Sequence, residues 1–131
     1  MKLLTSICLL VIIGIILVLI WKYKWEVIIV KGRSMSPTLH DGDLVLIDKK
    51  PKAYSMGDIC VLIPPDDDNK IVIKRITKIM GLDIHNGKSI TNFWFLGDNR
   101  NNSYDSRDYG WVNIENIEGR VIKQWQRKRR R

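Results

Sequence analysis

The chain has 131 residues, 45% hydrophobic and 27% charged, which excludes a disordered or low-complexity protein and allows one domain of ordinary size. Its net charge of +8 is concentrated at the end: the last five residues, 127–131, are all Arg or Lys, and the other 126 carry only +3, so the body does not read as a nucleic-acid surface. Two cysteines, Cys8 in an apolar run and Cys60 in an apolar strand pattern, exclude a disulfide scaffold and a cysteine-rich zinc site.

Residues 3–20 carry no charge and are broken only by Thr5, Ser6 and Gly14. At about 1.5 Å per residue such a helix approaches the roughly 30 Å of a bilayer core. Trp21, Tyr23 and Trp25 follow, alternating with Lys22 and Lys24, a pairing suited to the headgroup level. The run is longer than the apolar core of a cleaved leader, and no Ala-x-Ala-like site follows it. It therefore predicts a retained anchor over 1–25, with the membrane span at about 3–21. The charge count sets only the α-amine and Lys2 against Lys22, Lys24, Lys31 and Arg33, which by itself favours a cytoplasmic domain.

The remainder reads as mainly β, a small barrel-like or sandwich domain over 26–126 with a basic tail at 127–131. Six short strands are predicted at 26–31, 43–48, 58–63, 70–76, 92–96 and 119–125. They are rich in β-branched and aromatic residues and lie between clusters of Gly, Pro, Asp and Asn. Pro64-Pro65-Asp66-Asp67-Asp68-Asn69 is a loop, His85-Asn86-Gly87-Lys88 carries an Asn-Gly hairpin signal, and 112–118 has room for one helical turn.

Three segments exceed the needs of a β core. The first runs Gly32-Arg33-Ser34-Met35-Ser36-Pro37-Thr38-Leu39, followed by Asp41-Gly42-Asp43. The second sets Lys74-Arg75 in an apolar strand, where alternation points Lys74 the same way as Val72 and Ile76. On an inward face the ammonium would be desolvated, its pKa would fall, and a neutral amine would serve as a general base. A serine hydroxyl needs such a base within about 3 Å to act as a nucleophile. The third segment runs Gly97-Asp98-Asn99-Arg100-Asn101-Asn102-Ser103-Tyr104-Asp105-Ser106-Arg107. Taken singly, Lys74 reads as an edge lysine reaching water and Ser34 as a turn residue.

Together, in this order, the three segments resemble the boxes of the type I signal peptidases, membrane-bound Ser-Lys endopeptidases of bacterial type. The resemblance implies that Ser34 is the nucleophile, that Lys74 is its general base, and that the chemistry passes through an ester acyl-enzyme. It implies that Ser103 hydrogen-bonds and orients the lysine, and that the Ser34 N–H contributes to an oxyanion hole. Some relatives carry a serine where this chain has Gly32, so the second oxyanion donor stays open. Arg75 with Asp98, and Asp105 with Arg107, are implied as ion pairs that hold the third box against the lysine strand.

Met35, Val30, Ile71 and Ile73 are candidate walls of small apolar pockets for a substrate bound as an added strand; ordinary core is the other reading of them. The implied partners are signal-bearing preproteins, the bilayer and, as a candidate, the secretion machinery; no cofactor, metal or nucleic acid is implied. The implied catalytic domain lies on the extracytoplasmic face with the N-terminus in the cytoplasm, against the local charge count. Rival functions are a dedicated processing peptidase for one precursor and a non-catalytic tethered binding module. The chain departs from the family in lacking a Pro-Gly-Asp after Lys74-Arg75 and in having Asn101 where many members have Asp. The tail at 127–131 has two readings, contact with anionic headgroups or a solvated, frayed end.

Overall fold

The computed structural model describes residues 1–85 and 88–128, the side chains of 82–89 excepted. The first element, α1 (Lys2–Lys24), buries none of its residues and has a mean hydropathy of 3.3 over its most apolar window, long and apolar enough to cross a bilayer. The chain turns directly from α1 into β1 (Trp25–Ile29), with Trp25 already extended. Then come β2 (Leu44–Asp48), β3 (Ile59–Leu62), β4 (Val72–His85), β5 (Lys88–Leu96), a helical turn α2 (Ser106–Tyr109), β6 (Val112–Asn113) and β7 (Ile117–Trp125).

The strands form one antiparallel sheet in the order β1-β2-β7-β3-β4-β5-β6, curled into a half-barrel. Alternation along β3 shows why it curls. Val61 points into one apolar cluster with Val30, Met35, Leu39, Val45 and Ile47, whereas Cys60 and Leu62 point into another with Val72, Ile76, Phe93, Phe95, Val112 and Ile117. Central strands are thus covered on both faces and read as continuous apolar runs. β7 joins the two halves by pairing with both β2 and β3. Gly119 permits that junction, since a Cβ there would stand 2.8 Å from the Asp48 carbonyl oxygen.

All six predicted strand regions are strands, with shifted ends. The largest shift is in the fourth, which runs on to His85 and pairs with a fifth strand that begins at Lys88. Beyond Lys78 these two strands pair only with each other, apart from the short β6 alongside Asn92 and Phe93. The expected Asn86-Gly87 turn lies outside the described residues. The helical turn expected within 112–118 is a short 3₁₀ turn at Ile114–Asn116, set between β6 and β7 and capped by the Asn113 side chain. α2 was not expected. Its signal is Asp105, which accepts from Arg107 N–H while Asp108 accepts from Asp105 N–H, a reciprocal cap. Cys8 and Cys60 are both free, one exposed and one buried.

Candidate active site

Ser34 lies on the irregular segment between β1 and β2, where no ladder holds the backbone, so side chains and isolated bonds do the work. Gly32 adopts a φ of +81°, and its N–H donates to Asp41 Oδ1 at 2.7 Å. Met35 and Leu39 are buried and anchor the segment in the cluster beneath β2. From the third box, Asn99 donates its N–H to the Ser34 carbonyl oxygen at 2.9 Å and its Nδ2–H to the Arg33 carbonyl oxygen at 3.1 Å. Thr38 Oγ1 donates to Asp98. Gly97 makes the approach possible, because a Cβ there would overlap Ser103 Oγ and stand 2.6 Å from the Ser34 carbonyl oxygen.

Lys74 comes from a regular strand. It pairs with Cys60 of β3, and its neighbours on the same face, Val72 and Ile76, are buried. Lys74 itself is only 3% exposed. Its Nζ shares a 2.9 Å hydrogen bond with Ser34 Oγ, forty positions upstream, and donates to the Ile73 carbonyl oxygen at 3.0 Å. Burial pushes its pKa down from 10.5 to about 8; Asp105 works against that fall and the Lys70 charge adds to it. The neighbouring Cys60 thiol is pushed up by the same desolvation, so it stays protonated and offers no competing base.

Both expected ion pairs are formed and both are bidentate. Arg75 donates from Nε to Asp98 Oδ1 at 2.8 Å and from Nη2 to Oδ2 at 2.7 Å, while its Nη1 donates to the Gly57 carbonyl oxygen. The guanidinium holds the Asp98 carboxyl below the usual carboxylate range. Arg107 donates from Nε and Nη2 to the two oxygens of Asp105, each at 2.9 Å. Asp105 is fully buried and also accepts Gly97 N–H at 3.0 Å. Its burial works against the charge, yet Arg107 and the Gly97 N–H hold the carboxyl at about 2. Asp98 thus ties the third box to both the base strand and Thr38.

Ser103 lies beside Gly97 with its Oγ buried, and its hydroxyl adds to the hold on the Asp105 carboxylate. The expected bond to Lys74 is not formed; the amine is occupied by Ser34 and the Ile73 carbonyl. Gly32 offers no free donor either, its N–H being committed to Asp41. The pinning roles of Asp41, Thr38 and Asn99 were not assigned from the sequence. All three stood in the quoted segments, but their partners are tens of residues away or turn on backbone geometry.

Val30, Met35, Ile71 and Ile73 all line an open groove of about 870 Å³ that also contains Ser34 and Lys74. Val30 and Met35 double as buried core, whereas Ile71 is 63% exposed. The groove runs between 26–35 and 69–74, and each wall has an unpaired strand edge. Among the described residues β1 pairs only with β2, and Val72, Ile73 and Lys74 pair only with β3, because pairing with β5 starts at Arg75.

An apolar helix long enough to cross a bilayer, leading into an antiparallel half-barrel with a buried amine against a serine at the edge of a groove, defines the class of β protein. A family model described as signal peptidase, peptidase S26, matches residues 3–89 and 83–125, and the chain belongs to that family. It is 37% identical over 117 residues to the mitochondrial inner membrane protease subunit 1 of Schizosaccharomyces pombe, covering 79% of this chain and 74% of that protein. It is 36% identical over 108 residues to a mitochondrial ATP-independent inner membrane protease subunit 1b of Arabidopsis thaliana, covering 70% and 64%. It is 29% identical over 131 residues to a signal peptidase I of Leptolyngbya laminosa, covering 71% and 64%.

Proposed function

We propose that the chain is a membrane-anchored serine endopeptidase that removes N-terminal signal segments from precursor proteins with a Ser34–Lys74 dyad. The observation that carries this reading is the 2.9 Å contact between Ser34 Oγ and an amine that is only 3% exposed. With its pKa lowered by burial to about 8, a useful fraction of Lys74 is neutral near pH 7–8, and its lone pair accepts the hydroxyl proton. Ser34 Oγ then attacks the scissile carbonyl carbon, and the resulting oxyanion draws on the Ser34 N–H. Lys74 returns the proton to the leaving amine nitrogen as the C–N bond breaks, which leaves an ester on Ser34. A water molecule gives its proton to Lys74 and attacks that ester; the Oγ leaves and takes the proton back.

The precursor binds extended between the free edges of β1 and of β4 at 72–74, with its side chains alternating into and out of the groove. Pockets at Val30, Met35, Ile71 and Ile73 favour small residues beside the cut. The helix α1 anchors the domain at the bilayer surface, on the extracytoplasmic side, where a translocated substrate's own hydrophobic segment ends. Arg75, Asp98, Asp105 and Arg107 act by holding the third box in place rather than by touching substrate, with Ser103 beside the base. A second reading, a dedicated peptidase for one or a few precursors, is favoured by the several relatives named as subunits of an inner membrane protease.

The test is cleavage of a signal-bearing precursor by the full chain in detergent, with the cut located by mass spectrometry. Wild type should cut at one site after small residues, and Ser34→Ala and Lys74→Arg should not cut at all. Cleavage retained in either variant contradicts the mechanism. A panel of unrelated precursors then separates broad signal-peptide removal from dedicated processing.

A further inference from the structure

We infer that the C-terminal segment is a latch for the loop that carries Ser34, with the backbone N–H of Arg127 as the positioning group. Arg127 lies just past the end of β7, where a basic tail would be expected to leave the domain for solvent. Instead its N–H donates to Asp43 Oδ1 at 3.1 Å, across 84 positions of sequence. Asp43 is only 3% exposed, and its other oxygen accepts His40 N–H at 2.9 Å. A buried carboxyl oxygen without a donor is costly, so this single amide completes the hydrogen bonding of the buried side chain. The Arg127 side chain also lies along Gly42, its Cδ and Nη1 standing 3.2 and 3.3 Å from where a Cβ would be.

Residues 41–43 in turn grip the approach to Ser34. Gly42 N–H donates to the Val30 carbonyl oxygen and Val30 N–H to that of Asp43, both at 2.8 Å. Asp41 Oδ1 accepts Gly32 N–H, two positions before Ser34. One continuous set of contacts thus runs from the C-terminal segment through Asp43 and Gly42 to Val30, Gly32 and Ser34. A latch of this kind acts on placement rather than on chemistry: when it opens, the hydroxyl is less often aligned with Lys74, and turnover falls more than binding.

The inference rests on the proposed dyad for its catalytic readout, so the experiment has a second arm that does not need activity. Arg127→Pro removes the N–H at a position outside the β7 ladder and leaves the charged tail beyond it. Arg127→Ala and deletion of 128–131 both keep that N–H. All are measured as full chains in detergent, with hydrogen exchange of the backbone amides as the second readout. In Arg127→Pro, kcat should fall on the order of tenfold, with KM and the pH midpoint unchanged. Exchange at 30–36 should quicken while β4 and β5 keep wild-type protection. The other two variants should retain at least half of wild-type kcat and wild-type exchange. Wild-type exchange at 30–36 in Arg127→Pro overturns the latch, as does an equal effect in Arg127→Ala or faster exchange throughout the sheet. If the wild type cleaves nothing, the proposed function fails, and the exchange arm still decides the latch.

Discussion

The segment that carries Ser34 and the strand that carries Lys74 meet at one hydrogen bond but are built by opposite means. Lys74 is placed by a ladder and desolvated by apolar packing: Val72 and Ile76 share its face and Cys60 lies across from it. Ser34 lies in irregular backbone held by polar pins, one from Asp41 within the same segment and others from the third box through Asn99 and the Thr38–Asp98 bond. Packing tunes the charge of the amine, and hydrogen bonds place the segment that carries the hydroxyl. Damage to the first should therefore show in pH dependence and stability, and damage to the second in turnover.

The sharpest break removes either partner of the contact. Ser34→Ala or Lys74→Arg should lower cleavage by about 10³-fold or more while circular dichroism remains that of the wild type. Next in size is the support beneath both regions. Asp105→Ala strips Arg107 and the Gly97 N–H of their acceptor and should lower unfolding stability in urea by about 3 kcal/mol. Because the Asp105 carboxyl is held at about 2, below its ordinary value of 3.8, its stabilisation is present above pH 4 and fades as the pH falls toward 2. The variant should lack that part of the acid limb.

Lys74→Met then separates stability from activity. The folded pKa of Lys74, about 8, lies below its ordinary value of 10.5, so the unfolded chain holds more protons between those values. Wild-type stability should rise with pH across that window, and burial of the amine works against folding at neutral pH. Lys74→Met should be inactive yet more stable at pH 7, by about 3 kcal/mol, and should lack the rise in stability with pH that Lys74 gives the wild type. The smallest effect belongs to one polar pin. Asn99→Ala keeps its backbone bond to Ser34 but loses the one to Arg33, and kcat should fall several-fold, roughly 1 kcal/mol, with the pH midpoint unmoved.

The two regions also differed in how much the sequence disclosed. The β character, the apolar helix and the shared face of Val72, Lys74 and Ile76 followed from local patterns, since a period of two and an uncharged run need no knowledge of partners; that this face is buried did not, because Lys74 taken singly reads as an edge lysine reaching water. The pairing of Arg75 with Asp98 and of Asp105 with Arg107 followed from the resemblance. What did not follow was anything fixed by closure of the sheet. The hold of Asn99 on Ser34 and that of Arg127 on Asp43 join residues more than sixty positions apart. The long β4–β5 pairing was missed because Gly81 and Asp83 weaken the strand signal within it. The capped turn at Ser106–Tyr109 was missed because Asp105 was read only as an ion-pair partner.

The central claim is that the Lys74 amine is dry enough to lose its proton near neutral pH. It is tested most directly by an NMR titration of the full chain in detergent, with ¹³C at the lysine ε-carbons and Lys74 assigned by its loss in Lys74→Arg. The account predicts one lysine resonance that titrates with a midpoint near 8. A Lys74 midpoint at about 10.4, the value of a lysine in open water, would contradict it.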